Sequence, residues 1–340
     1  MKYITFTVPC YNSQDYMERC IDSLLTADEL AEIIIVDDGS TDHTGAIADN
    51  YARNYPEIVK VIHQENGGHG AGVNAGLSQA TGLYFKVVDS DDWLDTEALH
   101  KLMNQLRHWI KNGQQPDLIV ANYLYDHLNG KSPKRMTYRN VFTPGEFCTW
   151  EDTRRFLPSQ YLVMHSLWYR TEVLKTSGIR LPRHTFYVDN LFANRPLPYV
   201  KCICYLNLDL YHYFLGREDQ SVNEKVLMRR IDQQLRVTKL VVAATDLRKL
   251  EKTQPKLTRY LTRNISIMIS ISDIHLLLIG TPEARQKRAS LWHYIRTHDA
   301  NLYRTLRYHT LSGFTYLPGR LGDALTLAGY RVAQRLYHFN

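Results

Sequence analysis

Residues 83–93 read LYFKVVDSDDW, an apolar run of strand length that ends in Asp89, Ser90, Asp91 and Asp92. Carboxylates two residues apart in a tight turn can face one point, as a hard divalent cation requires. Capping of the next helix would explain one of these carboxylates but not three within four residues. The stretch therefore predicts a metal site at the end of a buried strand, with Asp89, Asp91 and Asp92 as ligands.

Similar apolar runs of strand length surround this stretch and alternate with helical patterns. They cover residues 3–8, 32–36, 58–63 and 117–123. Strands that alternate with helices through short connections are typical of a doubly wound, mostly parallel sheet with helices on both faces. The predicted fold class is α/β for this part of the chain, and a helical pattern follows from about residue 222.

Polar clusters follow the first three strands as well, at Tyr11–Asn12, Asp37–Asp38 and Glu65–Asn66. Ligands of such sheets bind beyond the carboxyl ends of the strands. We therefore expect these clusters to meet Asp89 at one edge of the sheet. Two adjacent carboxylates repel each other unless something is bound, and a base or ribose offers donors to them. Capping of the following helix is the alternative role for this pair, and an aromatic ring at position 11 can stack on a base.

Four segments, in this order, resemble the family 2 glycosyltransferases of the GT-A fold, of the type that builds bacterial cell-surface polysaccharides. They are Val8–Asn12, Val36–Asp42, Asn66–Gly68 with Asn74–Gly76, and Asp89–Asp92. A weaker likeness continues through Trp168–Arg170, Tyr187–Asn190 and Gln220–Val222. The likeness does not reach the C-terminal third of the chain.

The resemblance implies transfer of a sugar from a UDP-sugar, with inversion, to a hydroxyl of a glycan, polymer or lipid-linked acceptor. It implies Mn²⁺ or Mg²⁺ on the Asp-x-Asp pair and a general base at Asp189, although the family's Glu-Asp pair reads Val188-Asp189 here. An attacking hydroxyl must lose a proton, which a nearby carboxylate accepts. The predicted donor-binding residues are Pro9, Tyr11, Asn12, Asp37, Asp38, Asn66, Gly67, Asn74 and Ser90.

The resemblance and the composition together predict two domains. Residues 1–223 are expected to form the GT-A glycosyltransferase domain, with nucleotide-sugar binding in 1–110 and the acceptor side in 111–223. Residues 224–340 are expected to form a helical, basic C-terminal subdomain. His165, Arg170, His212 and Arg217 are possible contacts of the acceptor or the diphosphate, and Trp168, Tyr187 and Tyr211 can stack on a sugar or pack in the core.

Charge is divided unevenly along the chain. Residues 1–224 hold 21 Lys and Arg against 28 Asp and Glu, whereas residues 225–340 hold 20 against 7. A basic C-terminal third predicts an anionic neighbour. We expect an anionic membrane surface rather than a nucleic acid, although a basic amphipathic helix can equally pack on a neighbouring helix or on a second subunit in a homo-oligomer.

The five cysteines lack the spacing of a zinc site, and the apolar start of the chain is too short for a signal peptide. No window of about 18 residues is free of charge, so no transmembrane helix is expected. The prediction is a protein with reduced thiols in the cytoplasm, peripheral at the inner face of the membrane.

Two other functions compete with glycosyl transfer. A sugar nucleotidyltransferase shares a related sheet and a metal, but it usually has a Gly-rich basic stretch after the first strand, where this chain has Cys10–Ser13. A non-catalytic sugar- or polymer-binding protein would not need Asp89, Asp91 and Asp189 together.

Overall fold

The computed structural model describes residues 1–127, 133–158, 160–215 and 224–337, with His127 and residues 335–337 described by their backbone alone. The chain divides into two compact units, residues 1–216 and 217–340. The boundary predicted between residues 223 and 224 falls beside residues 216–223, which lie outside the described part, and it stays a prediction.

The first unit is built around one sheet. Its strands are β1 (Ile4–Cys10), β2 (Ala31–Asp37), β3 (Val59–His63), β4 (Tyr84–Val87), β5 (Trp93–Leu94), β6 (Leu118–His127), β7 (Lys134–Met136), β8 (Phe147–Cys148), β9 (Leu167–Arg170) and β10 (Ile203–Leu215). The strand order is β3-β2-β1-β4-β9-β6-β10-β5, with β7 paired to β6 and β8 paired to β10.

Most strands of the central order run in one direction. β3, β2, β1 and β4 are mutually parallel, and β6 and β10 are parallel to each other. The predicted α/β fold class is confirmed, with one difference: β9 enters antiparallel between β4 and β6. The sequence pattern missed this strand because LWYR is too short to show a periodicity.

The described residues of this unit form six α-helices: α1 (Met17–Leu25), α2 (Thr44–Asn54), α3 (His69–Gln79), α4 (Thr96–Lys111), α5 (Thr171–Ser177) and α6 (Asp189–Asn194). Every residue of β1 and β2 is buried, as expected for parallel strands covered by helices. α3 approaches β1 closely, because a Cβ added at Gly76 would lie 2.3 Å from Thr7. All five cysteines are free.

The second unit is helical, as predicted. Its helices are α7 (Glu224–Arg229), α8 (Ile231–Ala243), α9 (Leu247–Glu251), α10 (Pro255–Ile279), α11 (Pro282–His298), α12 (Ala300–His309), α13 (Leu311–Thr315) and α14 (Gly319–Tyr337). α10 lies at the centre and packs against α8, α9, α11, α13 and α14.

α10 is also long and apolar enough to cross a membrane by length and composition alone, which the sequence analysis did not expect. The same test is passed by core helices of soluble proteins, and 61% of its apolar window is buried among the neighbouring helices. The fully buried Asp273 on this helix accepts hydrogen bonds from Trp292 and Thr315.

Candidate functional site

The predicted polar turns meet at one edge of the sheet. In the parallel register Cys10 lies beside Asp37, Asp37 lies beside His63, and Thr7 lies beside Val87. The turns after β1, β2, β3 and β4 are therefore neighbours, as expected from their places at the carboxyl ends of parallel strands.

Asp89, the first of the predicted metal ligands, lies half-buried in the turn after β4. Its Oδ1 lies 2.7 Å from Nε2 of His69, the first residue of α3. Burial works to raise the pKa of Asp89, but the charge and the hydrogen bond of His69, with smaller contributions from neighbouring groups, together outweigh it and hold the pKa below its ordinary value. The carboxylate therefore stays ionised and available to a cation.

A possible metal-binding group differs from the predicted one. Ligand atoms of Asp89, Asp92 and His165 all lie within 4.8 Å of one another. Asp91 is not a member of this group within the described residues. It is half-buried, and its charge acts to raise the pKa of both His69 and Asp92, so it lies nearby.

Asp92 has an anchoring role that the sequence did not predict. It is 1% exposed, and its carboxylate accepts a 2.6 Å hydrogen bond from the Tyr211 hydroxyl and a 2.8 Å bond from the Phe214 main-chain N–H. Burial raises its pKa well above the ordinary value, and the charges of Asp91 and Asp89 add to this effect. Asp92 thus ties β10 to the turn after β4, and its predicted role as a metal ligand stays a prediction.

His165 offers a free nitrogen beside these acids. It is 9% exposed, its Nδ1 is buried without a hydrogen-bond partner, and its ring lies 4.3 Å from that of Tyr213 and 4.8 Å from that of Tyr211. Burial lowers the pKa of His165 to about 4, so the imidazole is neutral at physiological pH. A neutral imidazole nitrogen can serve as a metal ligand.

The turn that carries His165 is fixed by a buried lysine. Nζ of Lys86, in β4, donates to the carbonyl oxygens of Met164 at 2.9 Å and His165 at 2.5 Å. Burial lowers the pKa of Lys86 well below its ordinary value. The sequence did contain a signal for this role, because a charged residue in an otherwise buried strand needs partners.

Asp38 organises the loop after β3. It is 3% exposed, and its carboxylate accepts hydrogen bonds from the Gln64 side chain and from the main-chain N–H groups of Gly67 and Gly68, at 2.5, 2.9 and 2.7 Å. A carboxylate has about four acceptor sites, so three are already used by the protein. One acceptor site remains, and a nucleotide contact of Asp38 stays a prediction.

Asp37 also finds its partners inside the protein. It accepts a 3.0 Å bond from the Ser40 N–H and lies 2.9 Å from Nδ1 of His63. The sequence-based argument that the Asp37–Asp38 pair needs a bound ligand to relieve repulsion is therefore wrong, because His63 and the loop amides already compensate both charges. A nucleotide contact of Asp37 stays a prediction.

Several other predicted donor-binding residues have structural contacts. Asn12 accepts from the Thr41 N–H, the Ser90 hydroxyl pairs with that of Ser13, and Asn66 donates to the Asp38 carbonyl. Asn74 holds the main chain of Leu181 with two bonds, of 2.8 and 3.0 Å, and Pro9 is buried beneath Gly72 of α3. By contrast, Tyr11 is 52% exposed beside these turns. Nucleotide contacts of all these residues stay predictions.

Asp189, distant in sequence, belongs to the same site. It is the first residue of α6 and follows Tyr187, whose φ is +66°. Burial raises its pKa; His69 works against this shift and Asp89 adds to it. α6 packs on the turn that carries His165, and the His184 N–H donates to the Gly67 carbonyl oxygen at 2.6 Å, so the segment that leads to Asp189 lies beside this edge of the sheet. A carboxylate with a raised pKa is a better proton acceptor near neutral pH, and the role of Asp189 as general base stays a prediction.

Other residues singled out from the sequence lie elsewhere or have other roles. Arg170 pairs with Asp117 and Glu172 and stands beside Tyr84, at the opposite end of β4 from Asp89. Trp168 is fully buried in β9. His212 pairs with Asp126, and Arg217 lies outside the described residues. The sequence analysis did not single out His69, which pairs with Asp89.

Comparison with known proteins shows which family the first part of this chain resembles. Residues 5–159 match the family described as glycosyl transferase family 2. The chain is 30% identical over 222 residues to the putative glycosyltransferase EpsH of Bacillus subtilis, which covers 62% of this chain and 60% of EpsH. It is 40% identical over 221 residues to the poly(ribitol-phosphate) beta-glucosyltransferase of Bacillus spizizenii, covering 64% of this chain and 32% of that protein.

A solved structure shares the fold over nearly the whole chain. S. aureus TarS 1–349 in complex with UDP-GlcNAc aligns with a TM-score of 0.65 at 20% identity, covering 99% of this chain and 92% of that one. The chain spans between 20% and 63% of the length of the curated relatives that it matches.

Proposed function

Because residues 5–159 match the glycosyl transferase family 2 model, we propose that this chain transfers a sugar from a UDP-sugar to a hydroxyl group of a glycan, polymer or lipid-linked acceptor, with inversion, in cell-surface polysaccharide synthesis. The observation that carries the proposal is the group formed by Asp89, Asp92 and His165, with His69 2.7 Å from Asp89, at the carboxyl edge of the sheet. The beta-glucosyltransferase of B. spizizenii, which acts on poly(ribitol-phosphate), supports a polymer as acceptor.

The nucleoside of the donor would bind beside Tyr11 and Asp38. The exposed Tyr11 ring offers a face for stacking on a base. The one acceptor site left on Asp38 suits the single N–H of uracil. TarS, with the same fold, binds UDP-GlcNAc, which supports a UDP-sugar as donor. We assign residues 1–110 to the donor and 111–223 to the acceptor on this basis.

A divalent cation fits the residues present. Asp89 is ionised beside a buried, neutral and unpartnered His165 nitrogen, and Asp91 adds a further carboxylate nearby. Carboxylate oxygens suit both Mn²⁺ and Mg²⁺, whereas an imidazole nitrogen favours Mn²⁺. A bound cation would neutralise charge on the departing diphosphate.

Asp189 acts as the general base. The acceptor oxygen forms a bond to C1 of the sugar while the bond from C1 to the diphosphate breaks on the opposite face. The hydroxyl proton passes to the Asp189 carboxylate, whose raised pKa suits that role. Asp89 and His69 keep this region charged and fix α3 against the turn after β4.

The test uses purified protein in two separate assays, each with and without Mn²⁺. One measures UDP release from a panel of nucleotide sugars, and the other measures pyrophosphate release from a sugar phosphate with a nucleoside triphosphate. We expect UDP release from a UDP-sugar that depends on the metal. Asp189→Asn should lower kcat by roughly 10²–10⁴-fold while the affinity for UDP changes little. Asp28→Asn is the matched control, because Asp28 is exposed at the opposite end of β2, in a left-handed conformation that Asn accepts.

Three outcomes would contradict the proposal. Pyrophosphate release from a sugar phosphate and a nucleoside triphosphate would favour a sugar nucleotidyltransferase. Thermal stabilisation by UDP that is no greater than by GDP or CDP would remove the donor assignment. Full activity in Asp189→Asn would remove the base assignment.

A further inference from the structure

α14 presents its apolar face to the outside. Leu321, Ala324, Leu325, Ala328 and Val332 follow the helical spacing of a single stripe, and all five are exposed. We call these residues the α14 stripe. Helices of globular proteins normally bury such a stripe, yet Leu321 is 75% exposed and both Leu325 and Val332 are 57% exposed.

The inward face of α14 is made of small and polar residues. Gly322 and Thr326 are buried, and the Thr326 hydroxyl donates to the carbonyl oxygens of Gly322 and Phe314. Asp323 accepts a 2.8 Å bond from Arg288, and the Tyr330 hydroxyl donates to Glu224. These contacts fix the rotation of α14 about its own axis. The α14 stripe therefore faces away from the other helices of this unit.

Further apolar side chains lie exposed just before α14. Tyr308, Leu311 and Phe314 are 68%, 59% and 69% exposed. The bond from Thr326 to the Phe314 carbonyl brings α13 beside the stripe. Exposed apolar surface of this extent marks a site of association with a membrane or another protein.

Charge around the stripe is of one sign. Residues 300–340 contain five arginines and one acidic residue, Asp323, whose charge is already paired with Arg288. Arg304, Arg320 and Arg331 are exposed. A two-fold interface with a second copy would place like patches together and bring these arginines close to one another, whereas anionic headgroups would pair with them.

We propose that the α14 stripe, with Leu311 and Phe314, docks this protein on an anionic lipid bilayer. The helix has 19 residues and is about 28 Å long, and it would lie in the plane of the interface with its apolar side chains among the acyl chains. The exposed arginines would contact lipid phosphates. This surface would hold the protein peripherally at the inner face of the membrane, independently of its activity on UDP-sugars.

The test is flotation of the full chain with vesicles of phosphatidylcholine alone or with about one third phosphatidylglycerol. We expect flotation only with the anionic vesicles, and a smaller bound fraction at high salt. Leu321→Ser combined with Leu325→Ser should lower the partition coefficient by roughly tenfold or more. Leu157→Ser in the first unit is the matched control, because Leu157 is also 57% exposed, and it should leave binding unchanged.

Light scattering of the same proteins tests the alternative that a second copy of the chain covers the α14 stripe. A wild-type protein that stays unbound by anionic vesicles at low salt overturns the proposal. The proposal is also overturned if the wild-type protein is a dimer that does not float with vesicles and the Leu321→Ser, Leu325→Ser variant is a monomer. That result would assign the stripe to an interface with a second copy. The lipid and salt comparisons need only the wild-type chain, so a variant that fails to fold does not affect them.

Discussion

The close contact between α3 and β1 gives a prediction whose size follows from the structure. A Cβ added at Gly76 would lie 2.3 Å from both Cγ2 and Oγ1 of Thr7 and 2.8 Å from its Cβ. Carbon atoms in contact are normally about 3.5–4.0 Å apart. A new rotamer of Thr7 moves the first two atoms but not its Cβ, so Gly76→Ala must push the helix away from the strand.

The magnitude results from two opposing effects. Alanine is favoured over glycine in a helix by up to about 1 kcal/mol, while overpacking a close contact costs about 1–3 kcal/mol and sometimes more. We expect Gly76→Ala to lower the free energy of unfolding by roughly 2 kcal/mol. Gly72→Ala should cost less, because its added Cβ would lie 3.0 Å from Cβ of Pro9. Thr7→Ala in the Gly76→Ala background should restore part of the loss.

Urea unfolding followed by tryptophan fluorescence is the assay, because four of the five tryptophans lie in the first unit. Ser78→Ala, on the exposed side of the same helix, is the control and should change the free energy of unfolding by less than about 0.5 kcal/mol. A Gly76→Ala protein as stable as wild type, or a Thr7→Ala change that brings no recovery in the double variant, would refute the packing argument.

Two further predictions concern acids at the carboxyl edge of the sheet. Asp92→Ala should lower the free energy of unfolding by roughly 2–4 kcal/mol, because it removes the acceptor of the Tyr211 hydroxyl and the Phe214 N–H. Asp92→Asn should lower it by about half as much. Equal urea midpoints for Asp92→Ala and wild type would contradict this prediction. The hydrogen bond with Asp37 raises the pKa of His63 in the folded protein above its ordinary value of 6.5. The contact therefore stabilises the fold fully at a pH below 6.5, and this contribution is lost as the pH rises through the folded-state pKa. The difference in urea midpoint between wild type and His63→Gln should accordingly be larger at about pH 5.5 than at about pH 8.5, and a difference that grows with pH would show that the sign is wrong.

Much of the fold was predictable because its signals are local. Short β-branched runs such as residues 32–36 form buried parallel strands, and the helical patterns between them form the covering helices. The antiparallel strand β9 was not predictable in this way, since Leu167–Arg170 carries no periodicity and its place between β4 and β6 depends on partners far along the chain.

The site was predictable only in part, for a related reason. Spacing identified Asp89, Asp91 and Asp92 as candidate ligands, but it did not show that Asp92 also has hydrogen-bond partners within the protein. The Tyr211 hydroxyl, which donates a hydrogen bond to Asp92, comes from a strand more than a hundred residues away. The unpartnered nitrogen of His165 arises from burial between tyrosine rings, which no motif in the sequence records.

The sequence by itself determined that acidic turns gather at one edge, because parallel strands joined by helices must end on the same side of a sheet. It also determined that the C-terminal helix is amphipathic and basic. Only the tertiary structure decided which carboxylates keep a free acceptor, as Asp38 does, and which side of α14 faces outward. Both depend on hydrogen-bond partners, such as Gly67 for Asp38 and Arg288 for Asp323, that folding brings within about 3 Å.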